Sequence, residues 1–183
     1  MNLERPTAPD PYELLPRVDA MELTSESFAD GQTLPDAHVF DEWGFHGGNR
    51  SPQLSWSGAP DGTRSYAVTC FDPDAPTPSG FWHWLLVNLP SDTTALPEDY
   101  GARDAELPDG VRQMANDFGF QAYGGAAPPA GDRPHRYMFA VHALYTDDLG
   151  LGEEASAAVT ALNLGAHTLA RGVLTGLFAA PAE

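Results

Sequence analysis

Residues 81–89 read Phe-Trp-His-Trp-Leu-Leu-Val-Asn-Leu, a run that is apolar on both alternations and closed by Gly80 before and Pro90 after. Such a run is far shorter than the roughly 20 apolar residues that span a membrane. It is also too evenly apolar for a strand with one wet face. It predicts a central β-strand covered on both sides. Two other segments carry a strand signature. Residues 64–71 are rich in Tyr, Val and Thr and lie between Asp61-Gly62 and Asp72-Pro73, and residues 136–145 stop before Thr146-Asp147-Asp148. Seventeen prolines and eighteen glycines in 183 residues cut the rest into short pieces. The chain therefore reads as mainly β.

Helices are expected at the edges only. Asp10-Pro11 is suited to start one helical turn through Leu15, since proline fits the first helical position. Ala166, Leu169, Ala170, Val173, Leu174 and Leu177 follow i, i+3, i+4, i+7, i+8, i+11, which predicts a helix near 166–178. A shorter helix over roughly 153–162 is expected before it. Residues 107–134 hold Gly124-Gly125, Pro128-Pro129 and Gly131 together with Phe118, Phe120 and Tyr123; the aromatics favour an ordered functional loop over a linker. By length, residues 21–183 are one domain behind a loose N-terminal arm, residues 1–20.

Charge narrows the function. Twenty-six acidic residues face nine basic ones, all of them arginine, for a net charge of −17. Such a surface repels nucleic acid and anionic membranes, both polyanions. Neither nucleic acid nor an integral membrane contact is expected. The N-terminus lacks the apolar stretch of a secretory signal, so a cytoplasmic protein is expected. The single cysteine, Cys70, excludes an internal disulfide.

The usual catalytic signatures are missing: no Gly-x-Ser-x-Gly, His-Glu-x-x-His, Walker loop or strand-linked Gly-x-Gly-x-x-Gly occurs. Asp72-Pro73-Asp74 begins like a calcium loop, but Pro76 fills the third ligand position and no glutamate closes it. What remains is a cluster at strand ends. Prolines 73, 76 and 78 stiffen the loop that carries Asp72 and Asp74. Alone, that loop is a capped turn whose carboxylates bond nearby N–H groups. His83, alone in its apolar run, is a satisfied core residue, and His135 is a strand-end residue.

Taken together these residues carry a resemblance. Asp72-Pro73-Asp74-Ala75-Pro76, then Gly80-Phe81-Trp82-His83-Trp84-Leu85 with Asn88-Leu89-Pro90, resembles the first signature of the phosphatidylethanolamine-binding protein family. Tyr123-Gly124-Gly125 to Pro128-Pro129-Ala130-Gly131 and His135-Arg136-Tyr137 resembles its second, and Ser51-Pro52-Gln53-Leu54-Ser55-Trp56 fits its upstream segment. The likeness is to the bacterial members labelled Raf kinase inhibitor-like proteins. It implies an antiparallel β-sandwich with a few peripheral helices and one small pocket at a strand-end rim that binds phosphate-like or carboxylate anions. By position, Asp72, Asp74, Pro76, His83 and His135 line that pocket, with Gly125, Pro128 and Tyr137 beside them. Ala126 stands where the family commonly has proline, which is expected to loosen the rim.

An anion beside two aspartates needs histidines to reconcile the charges. If the aspartates hold the rings, the other ring N–H faces inward, and the nearby carboxylates raise both histidine pKa values. N–H groups of Gly124-Gly125 add donors, and Trp82 or Trp84 with the prolines supplies an apolar wall. One X-Pro bond within 72–76 is expected to be cis. The function expected is non-enzymatic binding of a small anion or phosphorylated headgroup, such as phosphate or a phosphorylethanolamine-like molecule. No cofactor or metal is expected. The rival functions are a His/Asp acid–base enzyme, for which no nucleophile is evident, and inhibition of a kinase or protease by protein interaction. Two histidines and a carboxylate also resemble the facial ligand set of non-haem iron. The family likeness implies a homodimer.

Overall fold

Three long strands carry the frame, each within a residue of its expected bounds: β4 Ser65–Asp72, β5 Phe81–Pro90 and β8 His135–Leu144. The structure is a computed structural model that describes residues 3–182; the first two residues of the N-terminal arm and Glu183 lie outside the described part. Short strands complete two sheets: β1 Asp19–Ala20, β2 Glu22–Thr24, β3 Leu54–Ser57, β6 Ala95–Leu96 and β7 Arg112–Gln113, with β9 Thr168–Phe178 last. The larger sheet runs β1-β9-β8-β4-β5-β7 and the smaller β2-β3-β6. All pairings are antiparallel except β1 with β9.

Every residue of β4 is buried, because both of its faces are covered. On one face Tyr66, Val68 and Cys70 join Trp84, Leu86, Phe139 and Val141 against Leu23, Leu54, Trp56 and Leu96 of the smaller sheet. On the other, Ala67, Leu85, Val87 and Leu144 pack beneath Ala157 and Leu164 of α1, Ala157–His167. Burying one large apolar side chain stabilises by about 1.5–3 kcal/mol, so this two-sided burial accounts for the unbroken apolar pattern of 81–89.

The C-terminal expectation is corrected. Residues 168–178 form β9, not a helix, and pair with β8 along their whole length, from Thr168 opposite Leu144 to Phe178 opposite His135. A period of two lies under the helical spacing: Ala170, Gly172, Leu174 and Gly176 are the buried set. Gly172 and Gly176 are small for a reason. A Cβ at 176 would lie 2.3 Å from Leu34 Cδ2, and one at 172 would lie 3.0 Å from Met21 O. Ladder bonds and this close approach override a spacing that also fits a helix. The expected helix at 153–162 exists but is shifted to Ala157–His167, where Ser156 Oγ caps it by accepting from Val159 N at 3.3 Å. The N-terminal turn is Pro11–Glu13, shorter than expected, with the Asp10 carboxylate accepting from Tyr12 N at 2.8 Å.

One irregularity prepares the site. Along β4 and β5, Cys70 faces Trp84 but Phe71 faces Trp82, which leaves His83 as the unpaired residue of a β-bulge. Trp82 therefore packs against Phe71, with ring centroids 4.4 Å apart, while Trp84 stays in the core between the sheets. No peptide bond among the described residues is cis, so the expectation of a cis proline in 72–76 fails. No helix there is long and apolar enough to cross a membrane.

Candidate functional site

Asp72 closes β4 and His135 opens β8, and the ladder between these strands brings them together. His135 Nδ1 donates to Asp72 Oδ2 at 2.7 Å, while Asp72 Oδ1 accepts from the N–H groups of Asp74 at 2.7 Å and Ala75 at 3.1 Å. The stiff proline loop thus fixes the carboxylate, and the carboxylate fixes the ring. The far-side nitrogen of the ring, expected to be free for a ligand, is already taken. This Nε2 donates to Asp132 Oδ2 at 2.9 Å, and Arg5, from the N-terminal arm, donates to the same oxygen at 2.7 Å. Burial disfavours the charged ring, but Asp72 and then Asp132 outweigh it and raise the His135 pKa. Burial likewise works against the Asp132 carboxylate, yet Arg5, His135 and the Arg133 N–H bring its pKa down to about 2.

His83 behaves differently. Its Nδ1 donates to Gly124 O at 2.8 Å and Gly125 O at 3.1 Å, so the proton sits on Nδ1 and Nε2 carries the lone pair. No aspartate holds it. Burial lowers its pKa, and the Asp72 charge with the two carbonyls offsets this only in part. The expectation that both histidines are shifted upward is therefore half wrong: His135 rises and His83 falls.

Both histidines line one cavity of about 190 Å³ with Asp72 and Pro76. Its apolar wall comes from Phe81, Phe118 and Trp43, not from Trp82 or Trp84, for the bulge directs Trp82 to the opposite face. Phe118 meets the His83 ring edge-on at 5.2 Å, and Tyr137 does so from beneath at 5.0 Å without reaching the cavity. Pro129 faces the cavity and Pro128 is buried behind it. Gly125 lies behind His83, its N–H donating to Asn49 Oδ1 at 2.7 Å, so the expected Gly124-Gly125 donors do not point inward; Gly124 N donates to His83 O. Asp74 is turned away. Arg136 Nε and Nη2 bond its carboxylate at 2.7 and 3.0 Å, an interaction that outweighs burial and lowers its pKa. Ala126 does not loosen the rim: its N–H donates to His38 O at 3.1 Å, a bond proline could not make.

Asp132 and Arg5 went unread in the sequence. Asp132 stands three residues before His135, a spacing that becomes a contact only once the Gly131 turn is made. Arg5 lies 130 positions from His135 in an arm without periodicity, so no local signal marks it. Trp43 has a left-handed backbone, φ 56°, and lies open to solvent at the cavity mouth, 4.9 Å from Phe118. Among the described residues no group of three or more His, Cys, Asp or Glu side chains is arranged to hold a metal ion, so the iron-type ligand set does not assemble.

A cavity at one end of the larger sheet, lined by the ends of β4, β5 and β8, defines the class, and comparison with known proteins agrees. The chain belongs to the phosphatidylethanolamine-binding protein family, whose pattern it matches over residues 24–179. It is 49% identical over 158 residues to the UPF0098 protein YbhB of Escherichia coli, covering 86% of this chain and 99% of that one. It is 47% identical over 160 residues to E. coli YbcL, covering 87% of each. The crystal structure of YbcL, described as a member of the mammalian PEBP family, superposes with a TM-score of 0.84 over 87% of this chain and 98% of that one, at 46% identity. A homologue from Chlamydia trachomatis gives 0.72 at 28% identity, over 87% and 97% of the two chains. None of these names assigns an enzymatic activity.

Proposed function

We propose that this cavity binds a small phosphorylated or otherwise anionic molecule and does not turn it over. Local charge carries the reading. Three of the nine arginines, Arg5, Arg133 and Arg136, gather around Asp72, Asp74 and Asp132, and the His135 ring bonds two of these carboxylates, which favours its charged form. Three carboxylates are thus met by three guanidiniums and by a histidine shifted towards its charged form, in a protein whose net charge is −17. Here the local charge no longer repels an anion.

His83 Nε2 is the polar atom left open in an otherwise apolar wall. An anion placed there brings a proton with it: either the ring takes one up, or a hydrogen phosphate donates its own O–H. A phosphate monoester loses its second proton at about pH 6, so binding above that pH consumes a proton and weakens as pH rises. The volume of about 190 Å³ suits a headgroup and not a lipid's acyl chains. The family's name points the same way, to a phosphorylated amine. Among the described lining residues the one hydroxyl, Thr77 Oγ1, donates to Gly80 O at 2.6 Å and has no base bonded to it, and the Asp72 carboxylate is held by His135 and two backbone N–H groups, which favours binding over catalysis.

Calorimetric titration with phosphorylethanolamine, inorganic phosphate and ethanolamine, run from pH 6 to 8.5 in buffers of different ionisation enthalpy, tests this. The two phosphates are expected to bind with proton uptake, with affinity falling towards high pH, and ethanolamine alone is expected to bind far more weakly. Failure of both phosphates to bind the folded protein would overturn the proposal.

A further inference from the structure

A second cavity, of about 330 Å³ against 190 Å³ for the first, opens on the opposite side of β4. It is a gap in the layer that covers the outer face of the larger sheet. The turn at Pro11–Glu13 covers one end, α1 covers the other, and Phe71 and Trp82 form its floor. Leu15, Ala161 and Leu162 make an apolar rim, and Leu162 is 73% exposed although it sits on the side of the helix that borders the cavity.

One charge breaks this apolar surface. Arg171 lines the cavity with its Cζ 4.8 Å from the centroid of the Tyr12 ring, and its Nε donates to His142 Nδ1 at 3.3 Å. Six of the nine arginines lie within ion-pair distance of a carboxylate. Arg112 donates to Leu151 O, and Arg17 is exposed. Arg171 is half-buried, and among the described residues it has no carboxylate and no acceptor for either terminal nitrogen. A partly desolvated guanidinium without a counter-ion is costly. Acidic residues outnumber basic ones almost threefold here, so the missing carboxylate is conspicuous.

We propose that this cavity is a second ligand site, for a single-chain apolar monocarboxylate of the fatty-acid type. The chain lies along Leu15, Phe71, Trp82, Ala161 and Leu162, and its carboxylate meets the two free nitrogens of Arg171. The planar fork of the guanidinium matches a carboxylate in bidentate fashion. A single unpaired cation balances a monoanion, whereas a phosphate dianion would leave a negative charge uncompensated. The neighbours suit the role. His142 is kept neutral, its pKa lowered to about 3 by burial and by Arg171, so it accepts from Nε and orients the fork without competing as a cation. Burial pushes the Tyr12 hydroxyl up to about 12, which keeps it protonated beside an anion.

Trp82 provides an optical signal. Decanoate and the uncharged decanol are titrated into the full chain, followed by tryptophan fluorescence and calorimetry, and repeated with Arg171→Gln, with Ala161→Phe to fill the cavity, and with His83→Ala. Decanoate is expected to bind saturably at one per chain and at least about tenfold tighter than decanol. Arg171→Gln should remove that preference while leaving the melting temperature unchanged or higher, and Ala161→Phe should weaken both ligands. His83→Ala should leave decanoate binding intact, which separates this site from the phosphate cavity. Four results would overturn the proposal: no decanoate binding, equal binding of decanol, decanoate affinity that survives Arg171→Gln but is lost in His83→Ala, or a stable dimer that Leu162→Glu dissociates, since a second copy would then cover the groove.

Discussion

Asp72 and His135, 63 positions apart in the chain, are joined by a hydrogen bond of 2.7 Å between Oδ2 and Nδ1. Because this bond favours the charged ring, His135 contributes stability in full below its unfolded pKa of about 6.5 and loses it as pH rises through the higher folded value. His83 and His142 run the other way. Both are buried neutral with lowered pKa values, so their contributions are complete above about pH 6.5 and are lost as pH falls towards the folded values, about 3 for His142. The histidine-borne stability therefore peaks near pH 6.5. Melting temperatures between pH 4.5 and 8.5 should show a shallow maximum there, with His135→Asn flattening the alkaline side and His142→Gln the acid side. Asp132, with its pKa lowered to about 2, gives stability that is lost only below its unfolded value of about 3.9, outside this range.

His83 is both a wall of the cavity and part of the core, only 3% exposed. His83→Ala strands the Gly124 and Gly125 carbonyls and leaves a void, so it is expected to cost about 1–3 kcal/mol of stability. His83→Asn can donate to one carbonyl but offers nothing in place of Nε2. Thermal melts and phosphate titrations of the two variants should therefore diverge: Asn recovers part of the stability and none of the affinity. Full affinity in His83→Asn would show that Nε2 does not meet the ligand.

The N-terminal arm reaches the site through Arg5, and two other arginines hold it there. Arg133 donates to Arg5 O at 2.8 Å and Pro6 O at 3.0 Å, and Arg136 donates to Ala8 O at 2.7 Å. Arg5→Ala removes the strongest influence holding down the Asp132 pKa. That pKa should rise towards 3.9, the ordinary aspartate value. Local positive charge is also lost, but Arg5 does not line the cavity, so phosphate affinity should drop by less than the roughly tenfold of a direct charge-assisted contact. Carbonyl NMR titration of Asp132 together with calorimetry measures both changes.

The parts of this protein that were legible in its sequence are those whose signal is local and doubly constrained. β5 is apolar on both alternations because both faces are covered, and its bounds follow from the flanking turns. The convergence of Asp72, His83 and His135 could be expected only from the family resemblance, since composition alone leaves each with an ordinary structural role. The orientation of side chains was not legible. A single bulged residue at His83 reverses which tryptophan faces which core, and the capture of Asp74 by Arg136 depends on a ladder between strands 62 positions apart. Arg5 illustrates the limit, because its partner is fixed by where an aperiodic arm happens to cross the sheet.

Residues 168–178 allow helix and strand to be distinguished by the sign of one substitution. In an exposed helix interior, replacing Gly176 with Ala would stabilise by about 1 kcal/mol, since glycine is the poorer helix former. In β9 the new Cβ would lie 2.3 Å from Leu34 Cδ2 and 2.6 Å from Leu34 Cγ, and Leu34 is itself buried. Gly176→Ala is therefore expected to destabilise, by about 1–3 kcal/mol, as overpacking of a filled core does. Leu34→Ala alone should cost about 2–5 kcal/mol by leaving a void. Together the two changes should cost less than their sum, because the methyl added at 176 then enters space vacated by the leucine, and contacting residues couple. Urea denaturation of the two single variants and the double variant gives the coupling directly. A stabilised Gly176→Ala, or strict additivity with Leu34→Ala, would contradict the packing of β9 against Leu34.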